Sequence, residues 1–237
     1  MSARRALLVP GSDLRPGFYA GLAAALAGQG VELRVAALQA QGPPTWAGQL
    51  AALEDAWAGA GRPALLIGHS LGGLLALLFA GRAPAGLEAL VLLEPAVAPW
   101  RWLARRAARA YRRQVVEGQG PRFVNWTGTF RRVADPARFP PAALALYEQT
   151  RAELDPAWTA ALLEAIPALY PLPFERVRAR TLLVRGARSG WRARVGLALL
   201  ARRLRAPLRT IPGAAHWLAN EADPALAAAI AGFADPG

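Results

Sequence analysis

The chain has 237 residues, of which 54% are hydrophobic, so it is long enough and apolar enough to bury the core of a large domain. It has no cysteine, which excludes disulfide bonds, thiolate metal sites and cysteine nucleophiles, and with two histidines we expect no histidine-rich metal site. The net charge is +12 and every basic residue is an arginine, but no nucleic-acid-binding motif accompanies that charge, so we expect no nucleic acid partner.

In the first part of the chain, short apolar runs alternate with segments of helical periodicity. Buried parallel strands have such continuous apolar runs, and the connections between these runs are short. The alternation therefore predicts a parallel sheet covered by helices. The predicted strands are residues 6–9, 31–38, 64–67 and 87–93, and the predicted helices are residues 16–28, 47–58 and 74–80.

The pattern changes after residue 96. Residues 97–174 contain no clean strand and predict helices at 102–116, 142–154 and 157–168. We predict that this stretch is a helical insertion above the sheet. Its aromatic residues suit the roof of an apolar pocket, or equally the anchoring of the insertion to the main body. Its tryptophans are Trp100, Trp102, Trp126 and Trp158.

The alternating pattern then resumes. It predicts strands at 181–184 and 208–211, and helices at 194–204 and 224–233. The predicted fold class is α/β, with a mostly parallel six-stranded sheet, helices on both faces and a helical cap insertion. The predicted core is residues 1–96 and 175–237, and the predicted cap is residues 97–174. The first apolar segment is too short for a signal sequence, so we expect a cytoplasmic protein without stable membrane insertion.

The strongest motif is GHSLGG at residues 68–73, which follows the third predicted strand and leads into a helix. A strand, a sharp turn with serine at its apex and a helix make up the G-x-S-x-G nucleophile elbow. Glycines beside a strained apex let the strand and the helix pass closely. The glycines of this elbow are Gly68, Gly72 and Gly73. The hydroxyl of Ser70 is therefore the candidate nucleophile, and the N–H of Leu71 is a candidate oxyanion donor.

A serine nucleophile needs a base within hydrogen-bonding reach, and the chain has two histidines. His69 directly precedes Ser70, so its side chain points elsewhere in a tight elbow, and we expect a structural role for it. His216 follows the last predicted strand, at the edge of the sheet where open α/β sheets bind their ligands. We predict that His216 is the general base.

Over nearly its whole length the chain resembles the α/β-hydrolase superfamily, as a small member with a helical cap. The resemblance rests on VPGS at residues 9–12, GHSLGG at residues 68–73 and IPGAAHW at residues 211–217. It implies that the backbone N–H of Ser12 is the second oxyanion donor, although proline stands where the family often has the histidine of a His-Gly pair. The two antiparallel strands that commonly open the family's sheet are missing from the pattern.

The acid of the expected triad departs from the family pattern. The family most often places an aspartate just after the fifth strand as numbered here, where this chain has Ser189 and Gly190. Some branches place the acid at the end of the preceding strand, and Glu94 stands there. We expect Glu94 to orient the imidazole of His216 and to stabilise its protonated form. The alternatives are that Glu94 caps a loop or lines the pocket, that another carboxylate serves, or that the acid is missing.

These residues predict a serine hydrolase that cleaves a small ester, thioester or related acyl compound through an acyl-enzyme. The resemblance implies a small-molecule acyl substrate and no cofactor. One alternative is a catalytically impaired protein that binds a small molecule, and another is a lyase or acyltransferase that uses the same serine and histidine. Arg101, Arg105 and Arg109 fit a clamp for a carboxylate or phosphate and an exposed helix stripe equally well.

Overall fold

The computed structural model describes residues 3–12, 14–38, 44–98, 100–117, 140–153 and 155–235. Its centre is a six-stranded sheet in the order β2-β1-β3-β4-β5-β6. The strands are Arg4–Val9 (β1), Val31–Val35 (β2), Leu65–His69 (β3), Ala89–Leu93 (β4), Arg180–Gly186 (β5) and Leu208–Ile211 (β6). Every neighbouring pair is parallel, so the predicted six-stranded α/β architecture is confirmed.

Helices connect the strands and cover both faces of the sheet. The helices before β4 are Ala20–Ala27 (α1), which follows a 3-10 turn at Pro16–Tyr19, Trp46–Gly59 (α2) and Leu71–Ala80 (α3). Between β4 and β5 lie Arg101–Tyr111 (α4), which continues into a π-helical turn at Arg112–Val116, Pro141–Glu153 (α5) and Pro156–Ala165 (α6). The helices after β5 are Trp191–Leu204 (α7), Leu218–Glu221 (α8) and Asp223–Ala234 (α9).

The sheet separates the hydrophobic core into two layers, because successive side chains of a strand point to opposite faces. Along β1, Ala6 and Leu8 join the layer formed with α1 and α9, and Leu7 and Val9 join the layer formed with α2, α3 and α7. None of these four side chains is more than 2% exposed. Burial on both faces explains why the strands are continuous apolar runs in the sequence.

The strand order brings the ends of β1 and β3 together. From β1 the chain passes outward to β2, and then returns to place β3 on the other side of β1. Ligands of open α/β sheets bind beyond the carboxyl ends of the strands at such a reversal. The loop after β1 accordingly packs on the loop after β3, and a Cβ built on Gly11 would lie 3.3 Å from the Cβ of Ser70.

Several element boundaries differ from the sequence predictions. β2 ends at Val35, three residues before the predicted end at residue 38, because its pairing with β1 ends there. Leu38 instead packs in the core layer of α2. Helix α3 begins at Leu71, directly after the apex of the elbow. The short helix α8 lies between β6 and the last predicted helix, in a stretch for which the sequence predicted no element.

The segment between β4 and β5 is attached to the main body by specific contacts. The indole Nε1 of Trp46 on α2 donates to the carbonyl oxygen of Leu162 on α6, at 2.9 Å. Trp100 and Trp102 are 48% and 61% exposed and stack on each other, and the role of the aromatic residues as a roof or as anchors stays a prediction. Trp126 lies outside the described residues. The assignment of residues 97–174 as a separate cap stays a prediction.

Within the described ranges, no helix combines the length and the apolar character that a membrane span requires.

Candidate active site

Ser70 lies at a strained turn between β3 and α3. Its φ is 52° and its ψ is −118°, a conformation that costs a non-glycine residue about 1–3 kcal/mol. Backbone hydrogen bonds hold it there. Its N–H donates to the carbonyl oxygen of Leu93 at 3.0 Å, and its own carbonyl oxygen accepts the N–H of Ala96 at 2.7 Å. The turn is therefore fixed to the end of β4 on both sides.

The glycines of the elbow are required by close packing. A Cβ on Gly68 would lie 2.7 Å from the Cα of Gly73, and a Cβ on Gly73 would lie 2.7 Å from the Cβ of Pro95. A Cβ on Gly72 would collide with the carbonyl oxygen of Pro10 at the end of β1. No side chain fits at these three positions unless the backbone of the elbow, or of the segments that follow β1 and β4, moves.

Three side chains from different parts of the chain form one line of hydrogen bonds. His216, in the loop after β6, places its Nε2 atom 3.1 Å from Oγ of Ser70. Its Nδ1 atom lies 3.1 Å from Oε2 of Glu94, at the end of β4. A carboxylate only accepts hydrogen bonds, so Nδ1 carries the proton and Nε2 is left to accept the hydroxyl proton of Ser70. This is the arrangement that a serine nucleophile and its base require.

The carboxylate of Glu94 is buried, and both of its oxygens accept hydrogen bonds. Oε1 accepts the backbone N–H of Gly186 at 2.9 Å and the hydroxyl of Ser189, while Oε2 accepts Nδ1–H of His216. Burial acts to raise the pKa of Glu94, but the hydrogen bonds from His216, Ser189 and Gly186 outweigh burial and hold that pKa below its ordinary value. Glu94 is therefore ionised at neutral pH.

A second buried carboxylate occurs close to His216 in the sequence. Glu221 on α8 accepts the backbone N–H of Ala215. It thus contacts the backbone of the loop, whereas Glu94 contacts the imidazole ring of His216.

His69 is buried and uses both ring nitrogens away from Ser70. Nε2 lies 3.0 Å from the carbonyl oxygen of His216, which only accepts, so Nε2 carries the proton. Nδ1 then accepts the hydroxyl proton of Tyr19 at 2.8 Å, and the Tyr19 oxygen accepts the N–H of Gly11 at 2.9 Å. Burial, together with the nearby His216, lowers the pKa of His69 to about 3, so the ring is neutral. The chain of bonds connects the loop after β1 to the loop after β6.

The predicted oxyanion donors are the backbone N–H groups of Leu71 and Ser12. Leu71 is the first residue of α3, so its N–H has no acceptor within the helix. Ser12 follows Gly11, the residue that packs against Ser70, and is half-buried. An N–H at a helix start and one in an adjacent turn are the groups that bind the oxygen of a tetrahedral intermediate.

A cavity of about 490 Å³ contains Ser70, Glu94 and His216 in its lining. This volume is within the range of about 300–1,000 Å³ found for small-molecule sites. Apart from those three residues and Arg106, the described lining is apolar or glycine, and comes from the segment after β4 and from α4, α6, α7 and the 3-10 turn after α6. Arg101, Arg105 and Arg109 are exposed and are not part of the described lining. In the described ranges, no group of three or more potential ligands could hold a metal ion.

The sequence did not reveal two polar side chains that support this arrangement. In the sequence, Ser189 is marked only by its place three residues after the end of β5, where the family pattern has an acid. Tyr19 lies in an apolar segment, where the helical pattern gives no sign that its hydroxyl is used.

Comparison with known proteins shows one family. The sequence profile of the alpha/beta hydrolase family matches residues 6–230. No curated protein matches the chain in sequence.

Solved structures share the fold at low sequence identity. MenH from S. aureus has a TM-score of 0.76 and 16% identity, with 98% of this chain and 94% of that chain covered. A thermophilic esterase from Thermogutta terrifontis has a TM-score of 0.72 and 20% identity, with 98% and 90% covered. The thioesterase domain from the curacin biosynthetic pathway has a TM-score of 0.60 and 16% identity, with 96% and 90% covered.

Proposed function

The chain belongs to the alpha/beta hydrolase family, and we propose that it is a serine hydrolase that cleaves a small ester, thioester or related acyl compound. The observation that supports this proposal is the line of hydrogen bonds from Ser70 through His216 to Glu94, inside an apolar cavity. In this proposal Ser70 is the nucleophile, His216 the general base and Glu94 the acid of the triad.

The reaction proceeds through an acyl-enzyme. Ser70 Oγ attacks the acyl carbonyl carbon while Nε2 of His216 takes the hydroxyl proton, and Glu94 stabilises the imidazolium that forms. The carbonyl oxygen becomes an oxyanion and accepts the N–H groups of Leu71 and Ser12. His216 then gives the proton to the departing alcohol or thiol. Water, deprotonated by His216, attacks the acyl carbonyl carbon, and His216 then returns that proton to Ser70 Oγ as the bond from Oγ to the acyl group breaks and the acid leaves.

The cavity favours a substrate whose acyl group is apolar and of modest size, because the acyl group would be in contact with the cavity walls. Its walls are alanine, leucine, valine, isoleucine and proline side chains, which offer no hydrogen-bond donors to a polar acyl group. The cationic Arg106 is exposed, so a charged part of the substrate is expected at the solvent side of the cavity.

The test is hydrolysis of p-nitrophenyl acetate and butyrate, together with labelling by a fluorophosphonate. The wild-type protein is expected to turn over and to be labelled at Ser70. Ser70→Ala is expected to lose labelling and at least about 10³-fold in kcat, because the nucleophile contributes most of the catalysis in such triads. Thermal unfolding of both proteins verifies that the variant is folded.

The same assay separates the hydrolase from a binding protein and from an acyltransferase. A wild-type protein that is neither labelled nor faster than Ser70→Ala contradicts the proposal and favours a small-molecule-binding protein. A labelled protein that transfers the acyl group to an added alcohol in preference to water is an acyltransferase that uses the same residues. Release of free acid as the main product supports the hydrolase.

A further inference from the structure

Ser189, three residues after the end of β5, uses its hydroxyl to bind the carboxylate of Glu94. Ser189 is 7% exposed, and its Oγ donates to Oε1 of Glu94. Its backbone N–H donates to the carbonyl oxygen of Gly186 at 3.3 Å, which fixes the turn that presents the hydroxyl. The side chain thus points inward from the turn between β5 and α7.

The two oxygens of Glu94 have different partners. Oε1 receives Ser189 and the N–H of Gly186, and Oε2 receives Nδ1–H of His216. Rotation of a carboxylate about its last bond has a broad, roughly two-fold energy profile, so the bond itself does not fix the plane. Two donors on one oxygen set that plane and aim the other oxygen at the imidazole.

Glu94 also starts from an unusual backbone position. Its φ is 41°, in the region that side chains other than glycine rarely adopt, and its N–H donates to the carbonyl oxygen of Val184. The side chain therefore crosses the end of β5 to reach His216. Contacts supplied by β5 and the turn after it are what hold its outer end in place.

We propose that Ser189 is a positioning residue, which holds the carboxylate of Glu94 in the orientation that His216 needs. This inference rests on the proposed function. The hydroxyl has two opposing effects, because it draws negative charge toward Oε1 and also keeps Oε2 aimed at Nδ1. The second effect dominates here, since a misaimed hydrogen bond weakens steeply with angle.

The test is a double-mutant cycle on p-nitrophenyl butyrate hydrolysis. Ser189→Ala is expected to lower kcat about tenfold at unchanged KM, as one lost charge-assisted hydrogen bond does. Ser189→Thr keeps the hydroxyl and is expected to restore most of that loss. In a Glu94→Gln background, Ser189→Ala is expected to change the rate less than twofold, because glutamine no longer presents a carboxylate oxygen to Nδ1 of His216 for Ser189 to aim. Thr181→Val is the control. It also removes a buried hydroxyl, but one that lies on β5 and donates to the carbonyl oxygen of Ala179.

Three outcomes overturn the inference: full kcat in Ser189→Ala, no recovery in Ser189→Thr, or the same tenfold loss in both backgrounds. A readout that needs no turnover is the NMR resonance of the ring N–H protons, which come from only two histidines. Ser189→Ala is expected to move the resonance of His216 and to leave that of His69 in place. If the wild-type protein has no hydrolase activity, the proposed function fails. The resonance of His216 alone then decides whether Ser189 orients Glu94 toward His216. An unmoved resonance overturns the inference.

Discussion

Replacement of Glu94 by glutamine tests the acid at the end of β4 most directly. The change keeps the size of the side chain and removes its charge. The carbonyl oxygen of the amide takes the place of Oε1, because Gly186 and Ser189 both donate to that site. The NH₂ group then faces Nδ1 of His216, which has to accept. The proton of the neutral imidazole moves to Nε2, where it blocks proton transfer from Ser70.

The size of the effect follows from the geometry. At 3.1 Å and an effective dielectric constant of 20, the attraction between Glu94 and a protonated His216 is about 5 kcal/mol, which corresponds to roughly 10⁴-fold in rate. We therefore expect Glu94→Gln to lower kcat by about 10³–10⁴-fold with little change in KM.

The assay is steady-state hydrolysis of p-nitrophenyl acetate and butyrate, with thermal unfolding measured on the same samples. Glu54→Gln is the control, because it removes an exposed carboxylate paired with Arg82, remote from His216 in the fold. If folded Glu94→Gln retains more than a tenth of the wild-type kcat, Glu94 is not the acid and the tautomer argument is refuted.

Two further variants test polar groups outside the proposed triad. Tyr19→Phe removes the hydroxyl that bonds both the N–H of Gly11 and Nδ1 of His69, so the unfolding free energy measured in urea is expected to fall by about 1–3 kcal/mol; an unchanged value contradicts this structural role of the hydroxyl. Burial raises the pKa of Asp223, which faces Gly21, to about 7, so wild-type stability is expected to fall as pH rises from about 4 to 7. Asp223→Asn is expected to unfold about 2–4 °C above wild type at pH 8 and to match it near pH 4, and equal midpoints at both pH values refute this sign.

The sequence was sufficient to predict the sheet because both of its faces are covered. Each strand is then a continuous apolar run, and the helices between them are long enough to show their period. The sequence was less informative where pairing sets the end of an element. The predicted β2 ran to Leu38, but an edge strand ends where its single neighbour stops pairing. Helix α8 is four residues long, too short to show a helical period.

Part of the candidate site could be predicted from the order of strands along the chain, and part depends on the direction of side chains. Ser70, Glu94 and His216 follow β3, β4 and β6, and the ends of parallel strands share one edge, so their proximity could be expected. The partners of Tyr19 and Ser189 depend on side-chain torsions and on turns packed from distant segments. No local pattern of residues encodes such contacts.

Ser70 and Glu94 share one feature, a positive φ on a residue with a side chain, at the ends of two adjacent strands. Glycine adopts such angles freely, so Ser70→Gly relieves strain that the native residue carries, whereas Glu94→Gly also removes the buried acceptor of Gly186, Ser189 and His216. Laboratory evolution for heat resistance without an activity screen would therefore favour glycine at Ser70, where the proposed chemistry forbids it. A thermostable library of this protein is best selected on turnover and heat together, with the codon of Ser70 held constant.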